Sequence, residues 1–378
     1  MILGIDASRA LRPASQRTGT ELYSRQLIAA LLRLAPAQPD APTLRLYSDA
    51  APDQATRQAW TGADWRIIPS PRLWTHARLS LEMLRRPPDV LFVPAHVLPL
   101  CRPPRTLVTV HDLGFLFFPQ AHPRCQRLYL DWTTRWHGRV ATHILAASQA
   151  TAHDLVACLG VPAERISVVY PGFTPAMQRP ADPSQLAAVA ATYGLTAPYF
   201  LYVGTLQPRK NLARVAQAFA RVLARWAAEY PDAAPPQLAL AGKPGWLADE
   251  ALAPIRALGL GDRLRILGYV PESDLPALLS GAAALAFPSL YEGFGFPILE
   301  AQACGVPVLT STTSSCPEVA GEGGLLVDPL DAEAIAAGLW RLLTEPALAS
   351  ALTAHGRRNL ARFRWETAAQ QVFDIVRN

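Results

Sequence analysis

The sequence predicts an α/β protein built from two doubly wound parallel sheets, and three observations carry that reading. Its 378 residues are enough for two domains of ordinary size. Short apolar runs alternate with amphipathic stretches along most of the chain, the pattern of open parallel sheets with crossover helices. The alternation breaks around residues 171–183, where Pro171, Gly172, Pro175, Pro180 and Pro183 fall too densely for a helix or a central strand. It then restarts, so domains over residues 1–172 and 191–363 are expected, joined by a linker at 173–190.

In the first half, residues 2–6 (ILGID) read as a strand and residues 20–34 as a helix with Leu22, Leu27, Ala30, Leu31 and Leu34 on its apolar face. Further strands are expected at 44–48, 65–68, 90–93, 106–111, 143–147 and 166–170, with helices between several of them. In the second half, strands at 199–203, 237–241, 264–267, 282–287 and 307–310 alternate with helices at 211–230, 249–258, 272–279 and 297–304. Helices at 331–343, 346–363 and 365–376 close the chain. Ligands of such sheets bind outside the carboxyl ends of the strands, so a two-sheet protein is expected to use the cleft between them.

Half of the residues are apolar and 17% are charged, which excludes a disordered chain. No apolar run approaches the roughly 18 residues of a membrane span. The opening MILGID has no basic region ahead of it and reads as a strand rather than a signal peptide. A cytoplasmic protein is expected. The five cysteines, Cys101, Cys125, Cys158, Cys304 and Cys316, are an odd number without a C-x-x-C pair. They argue against a disulfide framework or a zinc site, and each is expected to be a small buried hydrophobe.

The net charge of +5 is unevenly spread. Residues 1–170 hold 19 arginines and no lysine against 12 acidic residues, whereas the remainder holds 16 basic against 18 acidic residues. The basic first half points to something anionic, such as a membrane surface or a phosphorylated substrate; a diffuse arginine-rich surface is the plainer alternative. No nucleic-acid motif accompanies the charge. Lys210 and Lys243 are the only lysines, and both stand in turns after strand-like runs, where a compact ammonium serves better than a planar fork.

The most informative stretch is FPSLYEGFGFPILEAQACGVPV at 287–308. It follows a strand, its glycines Gly293 and Gly295 let backbone approach a ligand, and Pro297 suits a helix start. Amides of the turn Gly293, Phe294, Gly295 and Phe296 are placed to bind an anion at that helix end. Glu292 and Glu300 would lie roughly 12 Å apart along an ideal helix, too far to share a proton but suited to the two polar ends of one extended ligand. Carboxylates accept from neighbouring sugar hydroxyls, while glycines and a helix N-terminus favour a diphosphate.

A second stretch, YFLYVGTLQPRKNL at 199–212, sets Arg209 and Lys210 before a helix that Asn211 could cap, two cations placed to neutralise a diphosphate leaving group. Lys243 could add to the same potential. In the first half, Gly19 lies in a turn before a helix, and TVHDLG at 109–114 puts His111 and Asp112 at a strand's carboxyl end. His122, His137, His143 and His153 are not spaced as a metal site. Ser148 follows a strand without the G-x-S-x-G elbow of a serine hydrolase.

These motifs together resemble the family 4 retaining glycosyltransferases, which have the GT-B fold. EGFGFPILE followed by AQACGVPV is similar to their E-x7-E signature, VGTLQPRKN to their diphosphate-binding loop, and TVHDL to the strand end carrying their active-site histidine. The resemblance implies that Glu292 contacts the donor hexose and Glu300 the ribose, with the amides of Gly293 to Phe296 holding sugar and phosphate. It implies that Lys210 with Arg209 stabilises the departing diphosphate, that His111 lies near the transferred sugar and Gly19 near the phosphate, and that the backbone at Tyr269 and Val270 meets the base. Thr205 stands where many relatives carry an arginine. It also implies that the helix at about 364–378 returns to the first, acceptor-binding domain.

The expected reaction is retaining transfer of a hexose from a nucleoside-diphosphate sugar, GDP-mannose first, to a glycan or lipid-linked acceptor. Neither metal nor cofactor is expected, and the basic domain would permit peripheral contact with the inner face of a membrane. A nucleotide-sugar epimerase on the same fold and a non-catalytic sugar-nucleotide binder are the alternatives.

Overall fold

The computed structural model describes the whole chain except residues 71, 72, 96, 175, 176, 178–181 and 378, and the backbone alone at Ser15. It contains two parallel sheets. The first comprises β1 (Ile2–Asp6), β2 (Thr43–Ser48), β3 (Asp64–Ile67), β4 (Val90–Val93), β5 (Arg105–Val110), β6 (His143–Ala146) and β7 (Ile166–Val168), in the order β3-β2-β1-β4-β5-β6-β7. The second comprises β8 (Tyr199–Val203), β9 (Gln237–Ala241), β10 (Leu264–Gly268), β11 (Ala284–Phe287), β12 (Val308–Ser311) and β13 (Gly324–Val327), in the order β10-β9-β8-β11-β12-β13.

Both orders reverse direction once, between β1 and β4 and between β8 and β11. The loops leaving these strands diverge to opposite sides there, which opens a crevice at the carboxyl edge. Strands buried on both faces read as continuous apolar runs. VLFV of β4 and ALAF of β11 are buried throughout. These are the strands beside each reversal.

Contacts divide the described chain into two compact units. The first contains residues 1–113, 125–172 and 363–378; the second contains 114–124 and 173–362. The closing helix Trp365–Arg377 lies against the helix Gly19–Leu34 of its own unit. Trp365 meets Tyr23 edge-on at 5.8 Å, and Arg105 donates to the Val376 carbonyl at 2.6 Å. Residues 114–124, read from sequence as part of the first half, group with the second unit because Phe117 stacks on Tyr291 at 5.0 Å.

Three sequence expectations need correction. The segment expected as linker already contains a helix, Pro183–Thr192, opened by Asp182 accepting from the Ser184 amide and by a proline whose missing N–H costs nothing in the first turn; Pro175 and Pro180 lie outside the described residues. Strand β13 went unread because GLLV is short and directly follows two glycines and a glutamate. Only Cys316 is buried; Cys304 is half-buried and Cys101, Cys125 and Cys158 are exposed.

Candidate functional site

In the second unit the loops after β8 and β11 leave neighbouring strands on either side of the reversal and so border the same crevice. What they bring together is charge. Lys210 Nζ lies 2.5 Å from Glu292 Oε1, and Arg209 donates to Glu292 Oε2 at 3.5 Å and to the Tyr291 carbonyl at 2.8 Å. Lys210 and Glu292 are buried, at 8% and 6% exposure. Burial alone would push the Glu292 carboxyl upward, but the adjacent Lys210 and Arg209 charges more than offset it and hold it below its ordinary value. Glu292 is therefore an ionised carboxylate with a cation at each oxygen.

The surrounding loops fix this triad. Asn211 does not cap the helix Leu212–Glu229 with its side chain, as its position before that helix predicted. Its φ of 64° lies in the left-handed region, which asparagine tolerates better than most residues. From there its amide donates to the carbonyls of Pro288 and Pro329, at 2.9 and 2.6 Å, tying together the loops after β8, β11 and β13. The Leu290 amide donates to the Arg209 carbonyl at 3.0 Å. Ser314 Oγ accepts from the Glu292 amide, and the Ser315 hydroxyl donates to the carbonyls of Glu292 and Phe294, each at 2.9 Å. Sequence reasoning missed Tyr291, Ser314 and Ser315; the small polar run TSTTSS that ends β12 and continues beyond it was the available signal.

The turn at Gly293, Phe294 and Gly295 enters the helix Phe296–Ala303, with Pro297 as its second residue. Gly295 has a φ of 102°, and a Cβ there would press on Ile298 at 3.1 Å, so the turn requires glycine. Phe294 is buried and meets Phe296 edge-on at 5.2 Å. Glu300, half-buried one turn into the helix, has its carboxyl pushed up to about 7 by burial, with the Glu272 charge adding to the effect. The two glutamates of one motif thus differ: one is held ionised by cations, the other is close to half-protonated at neutral pH.

Thr205 follows β8, and its side chain packs where Gly245 leaves space: a Cβ on that glycine would come within 2.5 Å of the Thr205 methyl. Lys243 sits over the Tyr269 ring at 4.7 Å, in the loop after β9. Tyr269 is exposed and Val270 half-buried, just beyond β10.

In the first unit, Gly19 opens the helix Gly19–Leu34, whose start is closed by Glu21 accepting from the Thr18 amide at 2.9 Å and hydroxyl at 2.5 Å. His111 follows β5, and its Nε2 lies 2.9 Å from the Pro94 carbonyl beyond β4. Since a carbonyl only accepts, Nε2 carries the proton. Burial lowers the pKa, so the ring is neutral, and it meets Tyr23 edge-on at 4.8 Å. Asp6, at the end of β1, was not singled out from sequence. Its carboxyl is buried and pushed up to about 6, with Ser8 donating both its amide and hydroxyl to Oδ1. Ser148 is a helix cap, accepting from the Thr151 amide at 3.1 Å.

Comparison with known proteins gives this geometry its context. A family model described as Glycosyltransferase Family 4 matches residues 27–176, and one described as Glycosyl transferases group 1 matches residues 192–359. The chain is 34% identical to O-antigen chain mannosyltransferase B of Escherichia coli over 72% of its own length and 70% of that protein. It is 29% identical to the serotype-specific mannosyltransferase WbdA of Escherichia coli, of which it spans about a third (33%), over 72% of this chain. A crystal structure of HepE from Anabaena in complex with UDP and glucose superposes with a TM-score of 0.74 at 20% identity, covering 100% of this chain and 99% of that one. The two parallel sheets are thus the GT-B framework, and the chain belongs to the family 4 glycosyltransferases, enzymes that transfer glycosyl groups.

Proposed function

We propose that the chain is a retaining hexosyltransferase that takes mannose from GDP-mannose and delivers it to a hydroxyl of a glycan or lipid-linked acceptor without a metal ion. The observation that carries this reading is the buried pairing of Lys210 and Arg209 with Glu292 at the reversal of the second sheet. Cations preorganised in a water-poor site stabilise charge developing on a leaving group, the task a divalent ion performs elsewhere. Mannose is favoured because the 34%-identical relative is named a mannosyltransferase.

In the reaction the bond between the anomeric carbon and the diphosphate oxygen breaks, and Lys210 and Arg209 stabilise the charge left on that oxygen. The acceptor hydroxyl attacks from the same face, and its proton passes to the departing diphosphate. Glu292 orients the hexose through its hydroxyls. A double displacement would need a free carboxylate below the ring; Glu292, with cations at both oxygens, is better suited to anchoring. The turn Gly293 to Phe296 receives sugar and phosphate, Glu300 the ribose, and Val270 the base edge. Thr205 lines the diphosphate loop. In the first unit the candidates are His111, whose ring is neutral, and Gly19, at the start of a helix. The basic first half suits an acceptor presented at the inner face of a membrane.

The test is a thermal-shift screen of GDP, UDP and dTDP sugars followed by turnover of the best donor with and without chelator, the product's anomeric configuration being read by NMR. A ligand selective for the folded form raises the apparent melting temperature. Stabilisation by GDP-mannose, chelator-insensitive transfer and a retained anomer are expected. Selective binding of another nucleotide overturns the donor, and loss of activity in chelator overturns the role given to the cations. Conversion of donor without any acceptor would favour an epimerase.

A further inference from the structure

We propose that the first unit carries a docking surface for an anionic lipid bilayer, formed by the helix Arg124–Val140 and the neighbouring segment Trp74–Arg85. This deepens the acceptor reading above by naming the surface that would meet the membrane, and its test is independent of catalysis.

A helix packed on a sheet normally turns its large apolar residues inward. The helix Arg124–Val140 does the reverse. Its buried residues are Thr133, Thr134, His137 and Gly138, whereas Leu128, Tyr129 and Trp132 are 64%, 43% and 51% exposed. His137 is needed inside: its neutral Nε2 accepts from the Leu98 amide at 3.2 Å, and burial lowers its pKa to about 4. The outward aromatics are held in place rather than left to collapse. His76 Nε2 lies 2.8 Å from the Tyr129 hydroxyl, the Trp132 and Trp136 rings are parallel within 3°, and Arg102 covers Trp136 at 5.3 Å. Leu100, 50% exposed, continues the surface, its amide bonded to Ser80 Oγ, and Leu84 on the same short helix as Ser80 is 70% exposed.

A contiguous exposed apolar surface marks an interaction site, and the charge around it selects the partner. Residues 73–105 and 124–140 carry nine arginines against three acidic residues. Tryptophan, tyrosine and leucine rimmed by arginine is the composition of an interfacial membrane contact on anionic lipid. A glycan would also stack on tryptophan, but sugar hydroxyls need carboxylate and amide acceptors, and here Asp131 is engaged by Arg135 at 2.9 Å and Glu82 by Arg66 at 2.8 Å. No helix among the described residues is long and apolar enough to cross a membrane, so the contact is peripheral.

The experiment is flotation of the full chain, without donor, on vesicles of phosphatidylcholine alone and of equimolar phosphatidylcholine and phosphatidylglycerol. Three proteins are compared: the parent chain, Leu128→Ser with Trp132→Ser, and Arg127→Glu with Arg139→Glu. Melting temperature and turnover on a water-soluble acceptor serve as controls. The parent should float on the anionic vesicles only, and less so as salt rises. The serine variant should lose at least tenfold in partitioning, and each arginine removed about fivefold, with melting temperature and soluble turnover kept. Absence of flotation, equal flotation on neutral vesicles, or flotation unchanged in both variants overturns the proposal. So does an oligomannoside that the parent binds and the serine variant does not, when vesicles are ignored. Flotation by a protein inactive with every donor leaves the surface standing and removes the reading above.

Discussion

The two sheets reverse at equivalent places yet treat charge in opposite ways. At the first, Asp6 is buried without a full countercharge and its carboxyl shifts up to about 6, while half-buried His111 stays neutral. At the second, Glu292 is as deeply buried, but two cations hold it ionised. Desolvation is common to both; the countercharge decides. The repeated topology therefore offers two mouths, and the second is the one with a fixed buried charge cluster suited to a diphosphate.

Removing the carboxylate should have the largest effect. Glu292→Gln leaves Lys210 buried beside a neutral amide, and breaking such a pair costs about 3–5 kcal/mol. Thermal unfolding should report that loss, and turnover should fall with it. Adding Lys210→Met to the same chain should restore much of the stability and none of the activity. If the single variant melts like the parent, the pair contributes nothing and the contrast between the sheets fails.

Lys210→Met alone should lower kcat by about 10²–10³-fold, the range for one preorganised group stabilising charge in the transition state. The KM for the donor should move far less. An equal loss in both would mean that Lys210 binds ground state and transition state alike.

Glu300 gives a smaller, pH-dependent effect. Its folded pKa is raised to about 7, so without ligand its contribution to stability is greatest below the unfolded value and is lost as pH rises through 7. If the ionised carboxylate accepts ribose hydroxyls, nucleotide affinity should rise over the same interval. Glu300→Gln should flatten both profiles and weaken nucleoside diphosphate binding by about tenfold, the value of one charged hydrogen bond. Calorimetry between pH 5 and 8 checks this, and an unchanged affinity profile removes the ribose role.

The smallest effect is expected at the first sheet. Asp6→Asn keeps an acceptor for Ser8 and removes the titration. The parent should lose about 1–3 kcal/mol as pH rises from the unfolded carboxyl value through 6, because its raised pKa favours the protonated form in the folded state. The variant should lack that slope while turnover at neutral pH stays within about twofold, inside the range of a change that removes no transition-state contact. A large loss of turnover would give the first reversal a charged role and erase the contrast.

Much of the fold was legible because inner strands of both sheets are largely apolar runs, and β1, β4, β8 and β9 lie where those runs predicted. β13 was not, since four residues after a glycine cluster give no period to read. The site was legible where several signals coincide: glycines, a proline and two glutamates in one strand–loop–helix stretch. Asn211 was misread because local position favoured a helix cap, while two loops from distant strands offered its amide better partners. The exposed aromatics of Arg124–Val140 were also hidden, for helical spacing tells which residues share a face but not which face turns inward.

By itself the chain of residues determined the alternation, the fold class and the chemical character of each loop, all of which depend on neighbours within a few positions. Only the tertiary structure decided that Lys210 and Glu292 are partners across 82 residues, that Glu300 hovers near neutrality while Glu292 stays charged, and that a tryptophan-bearing helix faces outward. Those outcomes depend on burial and on what lies across the fold, and both arise only when distant segments pack.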